Sequence, residues 1–177
     1  MKRVMLLAAI AVLCSIFCGG CWLIQGPGVQ VVETYDLASV SVQKMPACRF
    51  DRVRNLSPAG RKMLYRHADN RISESAVCWV QSPEALLGRY LESSFPVAPD
   101  APLVGVTILC FELDLVAGRS VMTVELTCSG KGNGPEKIRR QTCTAPLADV
   151  SGAAASRAMS LCAEELSKTI INMIQEK

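Results

Sequence analysis

The stretch Cys78-Trp79-Val80-Gln81-Ser82-Pro83-Glu84-Ala85-Leu86-Leu87 turns a strand into a helix, and the rest of the chain reads outward from it. Ser82 offers an N-cap hydroxyl. Pro83 takes the first helical position, where no N–H is needed, and Glu84 sets a carboxylate at the positive end of the helix dipole. Leu87, Tyr90 and Leu91 follow on one face, which predicts a helix over about 83–94. It must stop before Phe95-Pro96-Val97-Ala98-Pro99-Asp100-Ala101-Pro102, where three prolines impose an extended connector.

Upstream, Met63–Arg66 and Arg71–Val77 read as short strands joined by a turn at His67-Ala68-Asp69-Asn70. Tyr35-Asp36-Leu37 with Val40 and Val42 suggests an opening strand. Downstream, Val104–Leu115 is a long strand with Leu109, Phe111, Leu113 and Leu115 on one face and Cys110, Glu112 and Asp114 on the other. Ala117-Gly118-Arg119 turns it into a second strand, Val121–Cys128, and Ser129–Pro135 turns that into a third, about Ile138–Ala145. Ala155, Met159, Cys162, Leu166, Ile170 and Met173 recur at spacings of three and four, predicting a long helix over about 150–175. The expected fold is a single α/β (α+β) domain. Its sheet is mixed, mostly antiparallel, of about five to six strands, packed by the mid-chain helix and the C-terminal one.

The N-terminus predicts export. Lys2 and Arg3 precede an uncharged apolar run, Val4–Phe17, too short to span a bilayer, and Cys18-Gly19-Gly20-Cys21 follows. Two glycines before a cysteine resemble a bacterial lipoprotein cleavage site, with Cys21 as the lipidated residue; the alternative is an ordinary secreted protein cut nearby. Cys14 and Cys18 follow Leu13 and Phe17 and lack the small residue that cleavage requires. The expected division is therefore a signal peptide at 1–20, a tether at 21–33 around Gly26-Pro27-Gly28, and a domain at 34–177. Cys18 and Cys21 also spell Cys-x-x-Cys, but no second pair completes a zinc site and cleavage would separate the two.

Composition narrows the function classes. Of 177 residues half are hydrophobic, and 19 basic against 16 acidic residues leave a charge of only +3. That is not the basic excess of a nucleic-acid binder, so no nucleic-acid partner is expected. Nine cysteines are many for this length. With Cys14, Cys18 and Cys21 assigned to the N-terminus, Cys48, Cys78, Cys110, Cys128, Cys143 and Cys162 remain, an even number in an exported chain. The last hairpin favours Cys128 opposite Cys143, since that register also sets Leu126 against Ala145 and Val124 against Leu147. The alternative is that several are small buried hydrophobes.

Residues for chemistry are few. His67 is the sole histidine and falls in a turn. Glu112 and Asp114 share a strand face as a carboxylate pair would, but an edge or solvent face explains them with fewer assumptions. Gly130-Lys131-Gly132 lacks the spacing and the Lys-Ser or Lys-Thr ending of a phosphate loop. Arg139-Arg140 and Glu164-Glu165 read as solvated faces. No catalytic residue, metal or cofactor is expected.

Tyr65-Arg66, Arg71-Ile72 and the stretch from Cys78 to Leu87 together resemble the central signature of the ABC-type transport auxiliary lipoproteins, of the MCE/Pqi intermembrane type. There a tyrosine strand leads to a Trp-x-x-(Ser/Pro)-Pro turn and a leucine-bearing helix. Tyr35-Asp36-Leu37 sits where that family has its opening Tyr-x-Leu strand, so the likeness covers about 35–175. The chain departs from the pattern at Ala38, where proline is usual, at Cys18, in a short segment between the first two strands, and in its cysteines. The resemblance implies a periplasmic accessory, not an enzyme, held at a membrane by lipid. Its partners would be an MCE-type protein, a permease and an ATPase that move lipids or hydrophobic molecules between membranes. Trp22 after Cys21 favours the outer membrane under the sorting rule of some bacteria. Tyr65 and Trp79 are the candidate anchors, Trp79 either for a partner or for the core. Other envelope-assembly lipoproteins and small hydrophobic-ligand carriers are the competing classes.

Overall fold

A computed structural model describes residues 32–38, 45–129 and 136–176. The expected signal peptide at 1–20, Cys21, most of the expected tether, Val40 and Val42, and the expected turn over 130–135 lie outside the described residues. The elements described are β1 (Thr34–Tyr35), β2 (Arg49–Phe50), β3 (Arg54–Asn55), β4 (Lys62–Arg66), β5 (Ile72–Trp79), α1 (Pro83–Ser94), β6 (Leu103–Asp114), β7 (Arg119–Ser129), β8 (Lys137–Pro146) and α2 (Gly152–Gln175). Both expected helices form where the apolar spacing put them.

The strands make one mixed α/β sheet in the order β1-β5-β4-β6-β7-β8, with β2 and β3 also on β6. Eight strands exceed the expected five to six because one side of β6 is lined in pieces. Chain 49–66 runs parallel to β6 as β2, β3 and β4 in succession, interrupted between pairings. β1 is parallel to β5, while β4–β5 and the β6-β7-β8 meander are antiparallel. Two tight turns use left-handed backbone: Gly118 at φ 57° between β6 and β7, and Asn70 at φ 60° between β4 and β5. Asp69 supports the second by accepting the Arg71 N–H at 3.1 Å.

The β7–β8 register corrects the expected one. Cys128 lies opposite Lys137, and Cys143 opposite Met122. The observed hairpin is six residues tighter than the one that pairs the cysteines. Its shorter connection costs less closure entropy and lets more backbone groups enter the ladder. An even slip leaves side-chain parity unchanged, so Met122, Val124, Leu126, Cys128, Cys143 and Ala145 all still face the core.

β6 carries a bulge between Ile108 and Cys110. Val104, Val106 and Ile108 alternate inward before it, and Phe111 and Leu113 after it, so Leu109 is the extra residue that joins two alternations out of phase. Leu109 therefore does not continue the Phe111–Leu113 face.

Both helices and the inner sheet face share one buried cluster. α1 contributes Leu86, Leu87, Tyr90 and Leu91; α2 contributes Ala155, Ala158, Met159, Cys162, Ala163, Leu166, Ile170 and Met173. Ser82 holds the cap backbone of α1 without a capping side-chain bond, whereas Ser151 accepts from Ala154 N–H at the start of α2. α2 crosses the sheet diagonally. At its start the Tyr65 hydroxyl donates to Val150 O at 3.3 Å, and at its end Lys137 and Arg139 of β8 reach Glu176.

Candidate functional site

The histidine and the two strand carboxylates are tied into structure. His67 Nε2 lies 2.7 Å from Ser73 Oγ across the β4–β5 hairpin. Asp69, the acid nearest in sequence, bonds Arg71 instead, so among the described residues no carboxylate orients the imidazole as a nucleophile–base pair requires. Glu112 is not solvent-facing as its strand pattern suggests. It is 6 % exposed on the face turned away from the helices, where Arg66 grips both its oxygens, Nη2 donating at 2.9 Å. Asp114 accepts the N–H groups of Val116 and Ala117 and caps the turn.

The six thiols described are free. The Cys128–Cys143 bridge expected from the hairpin does not form: six residues of register separate the two, about 20 Å of strand. Burial pushes Cys48, Cys110 and Cys143 up to about 12 and Cys162 up to about 11. That is the opposite of the lowered pKa that activates a nucleophilic or metal-binding thiolate. Among the described residues, no three His, Cys, Asp or Glu side chains converge as metal ligands.

Trp79 is a core residue, not a partner anchor. It is 1 % exposed and meets Phe111 edge to face, with ring centroids 5.4 Å apart at 71°. Tyr65 is half-buried, and its hydroxyl ties β4 to Val150 ahead of α2. The two anchors thus hold the strand–turn–helix unit together from within.

What that unit presents outward is a groove along α1. One section, of about 460 Å³, is lined by Arg52, Gln81, Glu84, Arg89 and Glu92 among others. The adjoining section, of about 330 Å³, is lined by Asp36, Leu37, Leu86, Arg89, Tyr90 and Ser93. Arg89 belongs to both and pairs with Asp36. Glu84 takes a hydrogen bond from Asn55 Nδ2 at 3.2 Å, leaving Arg52 and Glu92 as charges of opposite sign on the groove wall. The sequence signal for this groove was the polar back of the 83–94 helix, which the search for apolar periodicity passes over.

The groove meets the point where the chain enters the domain. β1 joins β5 through Cys78 N–H to Glu33 O at 3.2 Å and Val80 N–H to Tyr35 O at 2.8 Å. Asp36 then bonds both helices, its carboxylate to Arg89 of α1 and its carbonyl to Ser156 of α2, and Ala38 N–H donates to Ser160 Oγ at 2.8 Å. The entry segment is therefore clamped to three elements beside the groove.

No protein-family model matches the sequence, and none of the curated proteins matches it. Solved structures share the fold. One is the crystal structure of an uncharacterised protein, at a TM-score of 0.63 and 15 % identity, covering 81 % of this chain and all of that one. Another is a Xanthomonas campestris protein of family-model DUF330, at a TM-score of 0.59 and 14 % identity, covering 79 % of this chain and 92 % of that one. Identities this low show the architecture alone: this chain shares its α/β fold with both proteins.

Proposed function

We propose that this chain is a lipid-anchored accessory of an ABC-type transport system, which docks a periplasmic partner of the MCE type and does no chemistry itself. The observation that carries this is the position of the α1 groove beside the entry segment. Asp36 both receives the chain from the N-terminus and lines the groove. Lipid on Cys21 would hold the groove within about 50 Å of a membrane, the reach of the fourteen residues between Cys21 and Asp36. The resemblance from Tyr65 to Leu87 supports the partner class, because those residues build the unit that carries the groove. Trp22 favours the outer membrane as the site of attachment.

Two measurements test this. Labelling with radioactive palmitate should mark the wild type and not Cys21→Ala; equal labelling removes the anchor. Crosslinking in cells that hold the MCE-type protein should capture it with the wild type, and far less with Arg52→Glu combined with Arg89→Glu. Equal capture by a folded double variant removes the groove as the docking site.

An apolar recess favours the carrier alternative. Ala47, Ala98, Pro99, Asp100, Ala101, Pro102 and Ile174 line about 580 Å³, a volume in the range of small-ligand sites. Retention of lipid through purification of the exported chain would favour that class.

A further inference from the structure

We infer that one end of the sheet rests on the lipid surface to which the chain is tethered, through an apolar tip that includes Ile72, Val116 and Val150. The registers set five strand ends in one row: Ile72 of β5 beside Arg66 of β4, Arg66 beside Asp114 of β6, Asp114 beside Arg119 of β7, and Arg119 beside Pro146 of β8. Beyond this row lie the 67–71 hairpin, the 115–118 turn and the 147–150 loop. Hydrogen bonds join them. Leu115 N–H donates to Arg66 O at 3.1 Å, Leu147 N–H to Gly118 O at 2.8 Å, and the Tyr65 hydroxyl to Val150 O at 3.3 Å. The loop therefore crosses the end of the sheet from β7 to β4, and the tips gather within four neighbouring strands, about 15 Å. Val116 is 64 % exposed, Val150 60 % and Ile72 39 %, with Ala68, Ala117 and Ala148 exposed among them. Exposed apolar residues are ordinary singly, but gathered on three adjoining tips they mark a contact surface.

The direction of the entering chain makes lipid the occupant. β1 is parallel to β5 with Thr34 beside Cys78, so Val32 and Glu33, and the tether before them, approach from the Ile72 side. The opposite end also exposes Val97, Leu103 and Ile138, but β1 runs toward that end, away from the tether. The charges fit an apolar contact and not an ionic one. Arg71 lies 3.7 Å from Asp69 and Arg119 3.8 Å from Asp114, so the arginine of each hairpin tip already has an acid. Contact at this end fixes a height that the tether leaves open. With the strands upright, the groove at Asp36 stands about 23 Å above the lipid, the rise of β5 from Ile72 to Trp79 beside Tyr35.

This inference rests on the proposed attachment to a membrane, and its test holds the chain at a surface in two ways. In one, the exported, lipid-bearing chain is reconstituted in vesicles. In the other, a Cys21→Ala chain with a histidine tag in place of residues 1–20 is held on nickel-chelating lipid. The vesicles are phosphatidylcholine or phosphatidylglycerol with acyl chains brominated near the headgroup, which quench tryptophan on contact. Val116→Trp and Val150→Trp should lose fluorescence beyond the wild type, whose Trp22 adjoins the anchor, and Val97→Trp at the opposite end should not. Both lipids should quench alike, because an apolar contact does not depend on headgroup charge. Adding Val116→Asp should abolish the loss at Val150→Trp, so that the native tip and not the new ring makes the contact. An exported chain that fails to join vesicles removes the anchor, while the chelated chain still decides the contact. In the chelated chain, no added loss at Val116→Trp and Val150→Trp, equal loss at Val97→Trp, loss that survives Val116→Asp, or loss on phosphatidylglycerol alone overturns the inference.

Discussion

The ring of Tyr35 occupies the space where a side chain on Gly152 would begin: a Cβ there would lie 2.6 Å from Cδ2 and 2.7 Å from Cζ. The first residue of α2 is thus the seat of the strand that leads out of the domain.

Gly152→Ala should lower stability by about 1–3 kcal/mol despite alanine's better helix propensity, because the ring must leave its seat. In a Tyr35→Ala background the same substitution should be neutral or stabilising. Chemical denaturation of the four proteins in this cycle measures the coupling, and equal effects of Gly152→Ala in both backgrounds would contradict the contact.

Arg66 is the salt-bridge partner of the buried Glu112 carboxylate. Arg66→Met should cost about 2–3 kcal/mol, less than a fully enclosed pair because Arg66 is one-third exposed. Adding Glu112→Leu should restore most of the loss, since the uncompensated charge is then gone. Urea midpoints decide it, and a double variant no better than the single would show that packing, not charge, is at stake.

Trp79→Ala should cost about 3–5 kcal/mol, the range for emptying a buried aromatic position. Arg89→Glu should leave Tm nearly unchanged while it weakens partner capture. A Trp79→Ala protein that melts like the wild type would return that residue to the surface, against its contact with Phe111.

Alkali should destabilise the reduced protein through Cys48. Its thiol is neutral in the folded chain up to about 12, against 9.0 for a free thiol. Between those values the unfolded chain has released a proton that the folded chain retains, so stability is intact below pH 9 and falls as pH rises toward 12. At pH 10 the loss is roughly 1 kcal/mol, and Cys48→Ala should lack it. Parallel slopes for the two proteins between pH 8 and 10.5 would count against a buried thiol at this position.

Much of this fold is written locally. Proline at the first position of 83–94 and the period of 150–175 place both helices, and alternation places β6, β7 and β8. Pairing is not local. Nothing in Thr34–Tyr35 announces a parallel partner at Cys78–Trp79, and two-residue strands such as β2 and β3 exist only because β6 lies beside them. The β8 register escaped because apolar parity is the same at every even slip. The Ile108–Leu109 phase break was legible as a bulge, yet alternation alone put Leu109 on the wrong side. Glu112 was misplaced because its partner is forty-six residues away in sequence. The groove was illegible for a related reason: Asp36, Leu37, Arg52 and the α1 residues that line it come from segments that meet only in the folded chain.

The clamp at Asp36 has a mechanical meaning. Under the proposed attachment at Cys21, tension from the N-terminus would reach β1 first, and the Glu33 and Tyr35 carbonyls, the Asp36 ion pair and the seated ring would pass it to β5, α1 and α2.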